Sequence, residues 1–193
     1  MAKITFQEAP LKMRTGVVGI GEHHDNHWGR MLVLKLLQCE GARYLLIENA
    51  SDKQTTVDGI TTSAGAFDSE KADQLNSVNW KEYGVLPVSV VVYQAQKRGV
   101  RVVCADDMCV YSGSYALGKP GMNKRNGTAV TTLLGLAPTP AELCGVIMLN
   151  GVDHFVGSNA TSIAKRLQGQ QGLTFNWVDA STKEGSGFGV RLN

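Results

Sequence analysis

Short apolar runs, each broken off by a polar cluster, recur along the chain. Thr15–Glu22 (TGVVGIGE), Arg43–Asn49 (RYLLIEN), Val100–Asp106 (VRVVCAD), Cys144–Asn150 (CGVIMLN) and Leu173–Val178 (LTFNWV) read as strands. They are too short for buried helices, and near-continuous apolar runs suit strands covered on both faces. Between them the spacing turns helical. Asn26–Glu40 carries Trp28, Met31, Leu32, Leu34, Leu36 and Leu37 at helical spacing and stops at Gly41. Pro87–Arg98 predicts a second helix, with proline suited to its first turn, although its Val-rich opening also favours a strand. Pro120–Leu134 and Asn159–Leu167 predict two more, the last with Ile163, Ala164 and Leu167 inward. Phe188–Leu192 is a candidate edge strand. This alternation predicts an α/β fold: a mostly parallel central sheet of about five to six strands with helices on both faces.

One stretch breaks the rhythm. Ala50–Tyr83 is polar and rich in Thr, Ser, Gly and Asp. Structureless loops of that length are uncommon in compact domains. The segment is expected to hold a helix near Asp68–Asn76, or to form a lid on the rim of a site. There is no internal repeat, and a chain of 193 residues is expected to fold as a single domain, 1–193.

Composition narrows the function classes. Nineteen basic residues against 17 acidic ones leave +2, too balanced for a nucleic-acid or membrane-surface binder. No apolar run reaches the ~20 residues of a transmembrane helix. Met1–Thr15 is charged and lacks the apolar core of a signal peptide, which points to the cytoplasm or to delivery as an effector or toxin domain. Cys39, Cys104, Cys109 and Cys144 form no CxxC pair, so buried thiols are expected rather than a zinc knuckle or a disulfide framework. Asn49, Asn126 and Asn159 begin Asn-x-Ser/Thr triplets that chance explains.

Chemistry gathers at the strand ends. The first strand runs into Glu22-His23-His24-Asp25-Asn26-His27, the second ends in Glu48-Asn49, the third in Asp106-Asp107, and the fourth in Asn150-Gly151-Val152-Asp153-His154. In parallel α/β sheets the carboxyl ends of strands form the ligand rim, so these residues are expected to converge there. Glu48 directly follows Leu45-Leu46-Ile47, and a buried carboxylate needs a partner or a task. His154 lies between Gly151 and Gly157, where backbone approaches a ligand closely. By contrast Asp106 and Asp107 read equally as turn residues, Asp25 or Asn26 as a helix cap, and His23 and His27, four apart, as solvent-facing. There is no Gly-x-Ser-x-Gly elbow and no nucleotide-binding glycine loop. Histidine beside carboxylate instead suits proton transfer, or a divalent-metal site with an open position.

These motifs resemble a known superfamily. Gly21-Glu22-His23-His24-Asp25-Asn26 is similar to the opening of the haem-uptake lipoproteins of the ChaN type. Gly21-x-x-His24 and Gly151-x-x-His154 resemble the paired Gly-x-x-His motifs of TraB/Tiki proteins. Erythromycin esterases and a domain inside a large bacterial toxin belong to the same EreA/ChaN-like group. The resemblance implies a cleft built from Glu22, His24, Glu48, Arg125 and His154. Its members differ in activity: ester hydrolysis, metal-dependent proteolysis, or haem binding. Two departures stand out. Here the spacing is Glu22-x-His24 rather than the Glu-x-x-His of the esterases, and no lipobox is visible.

The leading expectation is a hydrolase that activates water against an ester or amide of a small molecule or peptide. His24, oriented by Glu22 or Glu48, would be the base, and His154 a second acid/base group or a metal ligand. Arg125 would meet developing negative charge. A divalent metal, if used, would be held by His24, Glu48 and His154. The alternatives are a haem-binding module, with the histidines or Tyr111 and Tyr115 as ligands, and an effector or toxin domain using the same cleft.

Overall fold

The computed structural model describes residues 2–76, 86–107, 119–156 and 161–182. Its strands are β1 (Ala2–Lys3), β2 (Val17–Glu22), β3 (Tyr44–Ala50), β4 (Arg101–Asp106), β5 (Val146–Gly151) and β6 (Phe175–Ala180). They form one sheet in the order β1-β6-β2-β5-β3-β4, with every neighbouring pair parallel. The expected α/β architecture is therefore present. The sixth strand is β1, at the start of the chain; the Phe188–Leu192 expectation lies outside the described residues.

The helices are α1 (Ala9–Arg14), α2 (Trp28–Leu36), α3 (Gln54–Asp58), α4 (Ser69–Asn76), α5 (Val88–Lys97), α6 (Lys119–Leu134) and α7 (Ile163–Leu167). Two cores separate the layers. On one face Leu32, Val33 and Leu36 of α2 and Val88, Val91, Val92 and Ala95 of α5 pack on Ile20, Leu45, Ile47, Ile147 and Leu149. On the other, Ala129 and Leu133 of α6 and Ile163 and Leu167 of α7 pack on Val17, Leu46, Val146 and Met148. Alternate strand residues thus serve opposite faces. In α5 the 88, 91, 92, 95 spacing prevails over β-branching, because it puts a complete apolar stripe on the sheet. Among the described residues no helix is long and apolar enough to cross a membrane.

Residues 50–76 of the 50–83 segment are among those described. The expected helix is α4, and an isolated antiparallel bridge, Thr61 to Phe67, folds the chain back before it. Phe67 meets Tyr93 of α5 edge-on, with ring centroids 5.3 Å apart. The described part packs beside α5 and β4. At that edge the Gln54 side chain donates to the Val102 carbonyl (3.0 Å) and accepts from the Cys104 amide (2.8 Å).

Candidate functional site

Sheet order decides which strand ends meet. β5 runs between β2 and β3, so Glu22, Gly151 and Glu48 end three adjacent strands. In β3 the register slips between Ile47 and Ala50, a bulge that re-aims Glu48 at the sheet's rim. Glu22, His24, Glu48, Arg125 and His154 line one cleft there, together with Met122 and Val152. It encloses about 510 Å³, including its open mouth. All five residues expected at the site are thus brought together. The described part of the 50–83 segment contributes none of the lining, which corrects the expectation of a rim or lid from that part.

Each side chain is held by a second. Glu22 is 4% exposed and faces Arg30 of α2, which is 3% exposed. Arg30 Nε lies 3.2 Å from Oε2 and Nη2 lies 3.2 Å from Oε1, while Nη1 donates to the Leu86 carbonyl at 2.8 Å. Helix α2 comes this close because residue 29 is glycine: a Cβ there would stand 2.5 Å from the Glu22 Cβ. The same carboxylate sits 3.1 Å from His24 Nδ1. That bond places the proton on Nδ1 and leaves Nε2 as the basic nitrogen. Burial alone would lower the His24 pKa; the Glu22 hydrogen bond and the charges of Glu48 and Glu22 outweigh it, and the net shift is upward.

Glu48 is the hub. It accepts from Arg125 Nη2, from the Gly151 amide (2.5 Å) and from His154 Nε2 (3.2 Å). Its second oxygen is 3.9 Å from His24 Nε2. Burial works against its charge, but His154, His24 and Arg125 together hold it well below the usual carboxylate range. Gly151 keeps the centre open, since a Cβ there would lie 3.2 Å from His24 Nε2 and 3.4 Å from Glu48 Oε2.

Arg125 lines the cleft and is held by two carboxylates. Its Nε is 3.0 Å from both Asp106 oxygens, and its Nη2 is 2.6 Å from Asp106 Oδ2 as well as bonded to Glu48. These bonds hold Glu48 in place. Asp106 does not remain a turn residue: it is 1% exposed and anchors that guanidinium.

The three residues expected to share a metal do not fit one. Glu48 is occupied by Arg125, the Gly151 amide and His154, and His154 is bonded at both ring nitrogens. Among the described residues, no three His, Cys, Asp or Glu side chains are grouped to hold an ion. Tyr111 and Tyr115 lie outside the described residues. His23 is exposed beside Asp25, and Asn26 accepts from the Trp28 amide at 3.2 Å, a local cap.

Arg30, Asp106 and Asn126 complete the site without having been singled out for it. Asn126 is fully buried against His154, and Asn49 is 2% exposed, so neither triplet is open to glycosylation in the folded chain. Cys39, Cys104 and Cys144 are free thiols. Burial, with Asp58 and Asp52 nearby, pushes the Cys104 thiol up to about 12, which makes it an inert core residue.

No protein-family model matches the chain, and no curated protein matches it. Its fold is similar to the crystal structure of RRSP, a MARTX toxin effector domain from Vibrio vulnificus CMCP6, with a TM-score of 0.58 and 19% identity. The match covers 95% of this chain and 37% of that one, so the chain spans little more than a third of its length. The likeness is one of fold.

Proposed function

We propose that the cleft is the active site of a hydrolase that activates water without a metal, acting on an ester or amide. The observation that carries this is the 3.9 Å gap between His24 Nε2 and Glu48 Oε2 at an open cleft. One water can bridge two acceptors at that separation. His24, its Nδ1–H fixed on Glu22, takes the water's proton at Nε2 as hydroxide character develops. Glu48, held anionic, stabilises the imidazolium that forms. Arg30 and Arg125 are positioning residues: Arg30 aims Glu22, and Arg125 aims Glu48 and helps to keep it ionised. This reading agrees with the resemblance to esterases and Tiki-type proteases, and the fold similarity to a toxin effector domain supports the same architecture.

The test is hydrolysis of peptide and ester libraries. Wild-type protein, purified with chelator present, is expected to cleave a subset, and the His24→Ala/His154→Ala double variant none of it. Full activity in the double variant would end the proposal. Because the His24 base must be unprotonated, kcat/KM rises with pH through a midpoint above 6.5, the ordinary histidine value. Removing the anionic partner in Glu22→Gln moves that midpoint down. A midpoint that stays put or moves up would contradict the assignment of His24.

The fold similarity favours a second reading of the same cleft, as the reactive part of an effector domain. Expression inside a heterologous cell is then expected to slow growth, and Glu22→Ala to restore it. Equal growth of cells carrying either protein would dismiss this reading.

A further inference from the structure

The two histidines of the cleft are wired differently. His24 carries one hydrogen-bonded nitrogen, with Nδ1 on Glu22, and its Nε2 stands 3.9 Å from Glu48. His154 is bonded at both. Its Nδ1 is 2.5 Å from Asn126 Oδ1 and its Nε2 is 3.2 Å from Glu48 Oε1. The Asn126 amide cannot be turned the other way without loss, because its Nδ2 donates to the Thr161 carbonyl at 3.0 Å. Thus Oδ1, which only accepts, faces the ring. Glu48, kept ionised, likewise only accepts. A ring whose two nitrogens both face acceptors, Asn126 Oδ1 inside the core and Glu48 Oε1 at the cleft, is matched by a proton on each.

We propose that Asn126 is a positioning residue that keeps His154 doubly protonated, and so makes His154 the proton donor of the cleft. The proposal rests on the hydrolytic reading and resolves the role left open for His154. Water oxygen bonds to the substrate's carbonyl carbon while its proton passes to His24 Nε2. As the carbon–oxygen or carbon–nitrogen bond breaks, the leaving atom takes its electron pair and the proton from His154 Nε2. Glu48 lies between the two rings, and a proton returning across it from His24 to His154 restores the starting state. One water is consumed and no redox partner is needed. The charged groups facing His154 are Glu48, with Arg125 behind it, and His24 across Gly151; Asp153 adjoins it on the same turn.

The test is nitrogen-15 NMR of ring-labelled histidine in the intact chain at pH 7. Both His154 nitrogens are expected to carry protons in the wild type. In Asn126→Leu, which removes the acceptor at similar volume, one nitrogen loses its proton and kcat falls about 100-fold with KM little changed. Asn126→Asp, which retains an acceptor, keeps the two-proton ring. A wild-type ring with one bare nitrogen would overturn the proposal, even were Asn126→Leu unable to fold. So would an unchanged two-proton ring in folded Asn126→Leu. The ring signals do not depend on turnover. A two-proton ring that is lost in Asn126→Leu, in a protein that cleaves nothing, would sink the hydrolytic reading and the donor role with it, while the wiring of the ring would stand.

Discussion

Replacing Arg30 with alanine is expected to remove about 3–5 kcal/mol of stability, the largest loss from any single truncation at the site. The reason is what it leaves behind. Glu22 is 4% exposed, and Arg30 supplies its bidentate partner. Without it a carboxylate remains in a poorly solvated place with one imidazole for company. The Leu86 carbonyl also loses its donor. Urea unfolding measures the loss. The Arg30→Met/Glu22→Gln double variant is expected to be more stable than Arg30→Ala, because removing both charges leaves nothing stranded. A loss below about 1 kcal/mol in Arg30→Ala would show that water reaches Glu22 after all.

For Glu48→Gln the expected effect is on chemistry: a fall in kcat/KM of about a thousandfold with the fold retained. Glutamine has the shape of glutamate but one acceptor oxygen and one donor nitrogen. Arg125, the Gly151 amide and His154 all donate to residue 48, so the new NH2 must oppose at least one of them. It also removes the negative charge facing His24. Measurement of kcat/KM on the best library substrate, beside the near-ultraviolet dichroism of the folded state, separates chemistry from collapse. Activity within tenfold of wild type would remove Glu48 from the mechanism. The variant also changes the response to acid. The folded wild type holds Glu48 ionised well below the ordinary 4.5, so its stabilising contribution is present above that pH and is lost as pH falls. Glu48→Gln is expected to lose less stability than wild type over the same acid range.

The strand ends were readable because two constraints coincide there. An apolar run that ends abruptly in charge marks where a buried strand reaches solvent, and parallel order puts such ends on one rim. Glu22, His24, Glu48 and His154 are legible on that basis. Their supporting residues are not. Arg30 sits in an amphipathic stretch as an ordinary helix cation; only the close approach of α2 at Gly29 turns it onto Glu22. Asp106 has the same strand-end position as Glu48, yet nothing in one sequence pairs it with Arg125, 19 positions on. Asn126 carries a glycosylation-like triplet and no hint of its histidine. At fold level, β1 is two residues long and exists through its pairing with β6, so no pattern announces it. Helix α1 is six residues, too short for periodicity to declare itself, and is held by buried Ala9 and Met13. The 50–76 stretch is polar because it covers the α5 and β4 flank as a thin outer layer, a position that resembles a lid in composition alone.

The Gln54 amide has a consequence for how the protein behaves in company. A strand at the margin of a sheet is a template on which another chain can pair and aggregate. The β4 margin is already occupied at Val102 and Cys104 by a side-chain amide imitating a peptide group. At the opposite margin β1 offers two residues, with Lys3 paired to Asp179 and lying over the Trp177 ring. Gln54 thus takes up two of the backbone groups that β4 would otherwise offer to another strand, and Gln54→Ala is expected to aggregate sooner than the wild type on concentration.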